Sequence, residues 1–146
     1  MKADRINPYD AAPTAMKAMQ GVQAYIHKCG LEHSLIELVK MRASQINGCA
    51  FCLDMHSKDA RAAGETEQRL YLLNAWREST LYTARERAAL GWTEELTLIA
   101  DSHVGDDLFE QVGREFSDAE VVNLTTLVGL INAWNRLAIS MRYQHG

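Results

Sequence analysis

Apolar residues recur along this chain at the spacing of a helix face, and nowhere do apolar and polar positions alternate over a strand's length. Leu35, Leu38, Val39, Arg42 and Ile46 trace one mostly apolar stripe, and Leu70, Leu73 and Leu81 suggest more of the same. Asn47-Gly48 is the one strong hairpin signal, but it lacks β-branched runs on either side. The pattern predicts an all-α chain of about six to seven helices, forming a single domain over residues 1–146 with no linker and no low-complexity segment.

The predicted boundaries follow from caps. A first helix is expected from about Ala11 to Lys28, ending near Gly30, and a second from about His33 to Asn47, ending at Gly48. A third runs from about Ala50 to Ala63, and a fourth from about Glu65 to Trp76. Thr83-Ala84-Arg85-Glu86 is a capping-box pattern that opens a fifth, to about Ala100. A short helix is expected near Asp106 to Glu115. A second capping box, Ser117-Asp118-Ala119-Glu120, opens a long apolar stretch towards Tyr143 with a break expected near Gly129. Glu37-Leu38-Val39 before Ile46-Asn47 is echoed weakly by Glu120-Val121-Val122 before Ile131-Asn132.

Composition narrows the function. The 146 residues are 47% hydrophobic and 23% charged, which suits an ordinary folded domain rather than a disordered chain. The net charge of −4, with basic residues scattered among acids, excludes the footprint of a nucleic-acid or anionic-membrane binder. No apolar run approaches the roughly 18 residues that would span a bilayer, and the N-terminal stretch lacks the apolar centre of a signal peptide. A cytoplasmic location is expected, where the three cysteines would rest reduced and a close pair points to catalysis or metal binding.

That close pair lies in Gly48-Cys49-Ala50-Phe51-Cys52-Leu53-Asp54-Met55-His56. On a helix, Cys52 falls about 300° and His56 about 340° round from Cys49, so all three share a face. Cys52 and His56 stand at i and i+4, where side chains meet. The first helical turn favours negative charge, and an adjacent histidine does too, so both raise the thiolate fraction. Three readings fit these residues. A redox pair could attack an oxidant and close to a disulfide. A zinc site could use Cys49, Cys52 and His56 with Cys29 or His33 as a fourth ligand. Two buried, inert cysteines are the third.

The wider stretch from Ile36 to Gly64, IELVKMRASQINGCAFCLDMHSKDARAAG, resembles the core motif of the AhpD-like alkylhydroperoxidases within the carboxymuconolactone decarboxylase family. Glu37, Ser44-Gln45-Ile46-Asn47, Cys49, Cys52 and His56 stand at that family's spacing. Asn132-Ala133-Trp134-Asn135-Arg136 resembles a segment of its short members. The likeness covers about residues 10 to 142. It implies an all-helical AhpD-like fold that assembles into homo-oligomers, trimers in long members and often hexamers in short ones. It implies a cofactor-free peroxidase that reduces hydroperoxides. Cys52 would attack, Cys49 would resolve the sulfenic acid to a disulfide, and Glu37 and His56 would relay protons. A protein or dithiol reductant would then be needed, a lipoyl-bearing protein in the best-known members. Ala50-Phe51 departs from members that carry a histidine or serine between the cysteines. Decarboxylases of this fold lack the pair, so its presence argues against decarboxylation. The alternatives are a redox-sensing or general thiol oxidoreductase scaffold and a zinc-binding structural protein.

The remaining candidates read more plainly. Glu37 is expected to be partly buried, with its pKa raised by desolvation. His33 reads as a helix-start residue, His27 as a helix end, His145 as tail and Cys29 as core. His103 beside Asp101 and Asp106 reads as a polar loop rather than a metal site. Trp134 and Arg136 read as packing and a salt bridge, at a subunit interface near the thiols.

Overall fold

The computed structural model describes residues 5–146, so the first four residues of the expected 1–146 domain lie outside the described residues. The described residues form nine α-helices and one 3-10 helix. In order they are α1 (Pro8–Ala11), α2 (Pro13–Lys28), α3 (His33–Asn47), α4 (Ala50–Ala62), α5 (Glu67–Tyr71), the 3-10 helix Leu73–Glu78, α6 (Ala84–Thr97), α7 (Ile99–Ser102), α8 (Asp106–Glu115) and α9 (Asp118–Ser140). Six of these have ten residues or more, and no strand occurs among the described residues.

Local chemistry sets most boundaries as expected. Both capping boxes form: Thr83 and Ser117 each accept the N–H of the glutamate three residues on, and Glu86 and Glu120 reach back. Gly48 ends α3 in the left-handed region, at φ 70°. Pro13 disfavours a helical conformation at Ala12, so the expected first helix begins at Pro13 as α2, and the short α1, not expected from the sequence, precedes it.

Three further boundaries differ from the sequence expectation. The fourth helix stops at Tyr71 and continues as the 3-10 helix, kinked at Ala75. The tighter winding brings i and i+3 residues into line, and it buries Leu70, Leu73 and Trp76 together. The fifth helix ends at Thr97, and α7 follows as a separate short piece. The break expected at Gly129 does not occur, and α9 runs through it. A helical glycine costs only about 1 kcal/mol, and the buried Leu127, Val128, Leu130 and Ile131 around it hold the helix against the core.

Helix α3 is the axle, packed against α4, α6 and α9. The expected stripe understated its burial: every residue from Leu35 to Met41 is buried, Glu37 and Lys40 included. One core cluster joins Leu35, Ile36 and Val39 to Trp92 of α6 and Leu124, Leu127 and Val128 of α9. A second sets Leu38 and Met41 against Leu73, Trp76, Tyr82 and Leu90. A third, small cluster contains Cys49, Cys52 and Ala138 with Phe51 and Tyr143 beside them. No described helix is long and apolar enough to cross a membrane.

Candidate active site

The turn between α3 and α4 carries the cysteine pair. Cys49 is the N-cap of α4, with extended backbone at φ −87° and ψ 98°, so it stands just outside the helix on which the sequence reading placed it. Its sulfur accepts the N–H of Cys52 at 3.3 Å. Cys52 lies in the first helical turn, where unpaired N–H groups and the macrodipole favour a thiolate. The two sulfurs are joined in a disulfide, and both residues are buried.

Polar contacts behind the turn hold it in place. The Asn47 amide donates to Asn132 Oδ1 at 3.0 Å and to Asn135 Oδ1 at 2.9 Å. Asn135, fully buried, donates in turn to Ser44 Oγ at 3.0 Å. The Ser44 carbonyl accepts the N–H groups of Gly48 and Cys49. The Ser-Gln-Ile-Asn and Asn-Ala-Trp-Asn-Arg segments therefore meet as one brace for the cysteine turn. Arg136, read as a salt bridge, instead donates to the Asn132 carbonyl and side chain, both at 3.0 Å. After α9 the chain turns at Arg142, and Tyr143 folds back edge-on to Phe51.

Glu37 and His56 face each other across the α3–α4 packing. His56 Nδ1 is 3.5 Å from Glu37 Oε2, both side chains are buried, and neither atom hydrogen-bonds elsewhere among the described residues. The other Glu37 oxygen lies 4.0 Å from both Lys40 Nζ and His33 Nε2. Lys40 Nζ is 3.1 Å from His27 Nε2, which reaches over from the end of α2. So His27 and His33, read as helix-end and helix-start residues, also belong to this charged group.

The Glu37 carboxyl corrects an expectation. Burial does push its pKa up. The His56 ring and the charges of Lys40 and His33 outweigh burial, and the group is held below the ordinary carboxylate range. Burial pushes the Lys40 ammonium down, and the nearby charges of Glu37 and Asp59 only partly restore it.

Cys52, Glu37, Lys40 and His56 line one cavity of about 600 Å³, walled by Tyr9, Phe51, Met55, Trp134 and Tyr143. A mostly apolar lining with a few polar groups is the form of a small-molecule site. All four sequence-derived candidates cluster here, although Cys49 lies just behind the lining. Lys40 was not among the site residues read from the sequence. The signal for it was present: two charged residues inside the apolar run from Leu35 to Met41. Nothing local in the sequence marks Asp59, which also lines the cavity.

For a metal, Glu37, His56 and Asp59 each place a ligand atom within 4.8 Å of the others. The Lys40 ammonium beside Glu37 opposes a second cation there. The alternative zinc set, Cys49, Cys52 and His56 with Cys29 or His33, is not assembled among the described residues, where the two cysteines of the pair are joined in a disulfide. Cys29 packs against the first core cluster, with its sulfur donating to the Ile26 carbonyl.

A model of the carboxymuconolactone decarboxylase family matches residues 13–95, more than half of the chain. The uncharacterized protein YdfG of Bacillus subtilis (strain 168) is 42% identical over 139 residues, covering 95% of each chain. A crystal structure from Agrobacterium tumefaciens, of a protein of unknown function provisionally named antioxidant defence protein AhpD, is 49% identical. It covers 98% of each chain at a TM-score of 0.94. The debrominase Bmp8 shares the fold at a TM-score of 0.80, with 19% identity over 94% of this chain and 74% of its own.

Proposed function

This chain is an AhpD-like member of the carboxymuconolactone decarboxylase family, and from that membership we propose that it is a thiol-dependent peroxidase working through a Cys49/Cys52 dithiol–disulfide cycle. One observation carries the reading. The disulfide, a buried histidine and a buried carboxylate share a single, mostly apolar cavity.

The cycle starts from the dithiol. His56, one helical turn from Cys52, takes the thiol proton, and its Nδ1 side is turned to Glu37, whose negative charge stabilises the imidazolium. The Cys52 thiolate attacks a peroxide oxygen. The O–O bond breaks, and the departing alkoxide takes the proton from His56 and leaves as an alcohol. Cys52 is now a sulfenic acid. The Cys49 sulfur attacks it, the S–S bond forms, and the Cys49 proton leaves with the hydroxyl as water. Two thiols are oxidised and one peroxide is reduced. A dithiol reductant then restores the pair by exchange.

The same reading covers one AhpD-like domain acting as a homo-oligomer. Val22 and Tyr25 on α2, Phe109 on α8 and Val122 on α9 are exposed apolar side chains that a second copy would cover. Light scattering on the purified protein measures that directly.

The deciding experiment counts thiols on the reduced protein before and after one equivalent of an organic hydroperoxide, then again after a dithiol. Loss of two thiols per chain, restored by the dithiol and repeated over many cycles, supports the peroxidase. Oxidation that occurs once without turnover supports a redox sensor instead. Thiols that react only after a chelator is added would require the peroxidase reading to be withdrawn.

A further inference from the structure

Lys40 is the least expected residue of the site. Its side chain is about 95% buried, on the helix that is the axle of the fold, where a lone ammonium is costly. A lysine placed there only for packing would carry its charge to solvent on its flexible stem. Instead its ammonium stays inside, 4.0 Å from Glu37 Oε1 and 3.1 Å from His27 Nε2.

We propose that Lys40 is a positioning residue of the thiol site: its ammonium keeps the buried Glu37 carboxylate charged and turned to His56, and His27 fixes that ammonium from α2. The proposal rests on the peroxidase reading for its purpose, but not for its test.

The geometry supplies the argument. A carboxylate this deeply buried would take up a proton if unpaired. A protonated Glu37 could not stabilise the imidazolium that forms on His56 when the Cys52 thiol ionises. Lys40 is the one lysine or arginine side chain placed beside it, with its nitrogen 4.0 Å from Glu37 Oε1. The other charged or titratable groups around Lys40 are His33 on its own helix, His27 on α2, and His56 and Asp59 on α4, with Tyr9 and Tyr143 in the cavity wall. Lys40 is a cation, so it has only donors to offer, and His27 Nε2 must accept. His27 therefore serves in its neutral form, and protonating it would set two cations 3.1 Å apart. The direction of the Glu37 pKa, below the ordinary range in spite of burial, agrees with this arrangement.

The test is a carbon-detected NMR titration of the Glu37 side-chain carboxyl, assigned with Glu37→Gln, in the full-length protein. Lys40→Met should raise the midpoint by about 1 unit or more, as expected for loss of an opposite charge at this distance. Lys40→Gln should do the same and serves if the methionine variant does not fold. Lys40→Arg, which keeps the charge, should stay close to the parent. The acid limb of peroxide turnover should move up in step with the carboxyl midpoint. An unchanged midpoint in Lys40→Gln overturns the proposal. A shifted midpoint in a protein whose parent turns over no peroxide overturns the peroxidase reading and leaves the hold of Lys40 on Glu37 standing.

Discussion

The Asn47 side-chain amide donates to Asn135 Oδ1 at 2.9 Å, which ties the last residue of α3 to the C-terminal half of α9. The cysteine turn begins at the next residue. A redox pair needs its two sulfurs held within bonding reach through both halves of a cycle, and this contact anchors the near end of the turn.

Replacing Asn135 with alanine tests the brace. It leaves the buried Ser44 hydroxyl without its donor and takes one acceptor from Asn47. An unsatisfied buried polar group costs about 1–3 kcal/mol, so a loss of about 2 kcal/mol in urea unfolding is expected. Peroxide-driven disulfide formation should slow as well. A variant as stable and as fast as the parent would show that the brace is dispensable.

The cysteines should separate by role. Cys52→Ser should abolish peroxide turnover and leave Cys49 unoxidised. Cys49→Ser should consume one equivalent of peroxide, stop, and hold a sulfenic acid that a dimedone-type probe captures by mass spectrometry. The opposite pattern, with the probe on Cys49, would reverse the assignment of attacking and resolving thiol.

Glu37 predicts an acid dependence with a definite sign. Its folded pKa lies below the ordinary value of 4.5. Its contribution to stability is therefore complete above that value and is lost as pH falls through the depressed folded value. Glu37→Gln should flatten the fall in stability below about pH 4.5 without removing it, because Glu86 and Glu94 are held low as well. Chemical unfolding of both proteins between about pH 3 and 7 measures the difference. Parallel curves would mean that Glu37 titrates normally.

Gly48 tests the backbone of the turn. Its φ of 70° lies in the left-handed region, and nothing would touch an added Cβ within 4 Å. Gly48→Ala should therefore cost about 1 kcal/mol, from backbone strain alone. Denaturant midpoints at unchanged m-value would show it. A much larger loss would point to a contact that the turn makes in an assembled oligomer.

Most of the secondary structure was legible because its signals are local. Both capping boxes, the glycine end of α3 and the start of α4 follow from bonds between residues a few positions apart. The split after Tyr71 was not legible, because it answers to where Leu73 and Trp76 must be buried. Gly129 misled for the same reason, since the buried Leu127, Val128, Leu130 and Ile131 that flank it outweigh a glycine's own preference.

By itself the sequence determined an all-helical chain, a cysteine pair at the head of a helix, a histidine one turn on, and a glutamate upstream on the preceding helix. Those facts depend on spacing along one chain, which helical geometry converts into faces. The tertiary structure decided the rest. It buried Glu37 and Lys40 together, brought His27 from another helix to Lys40, and joined Asn47 to residues near the other end of the chain. It also reversed the direction expected for the Glu37 pKa. Burial can be guessed from a run of leucines, but the groups that oppose burial come from two different helices, and only their packing sets which of the two prevails.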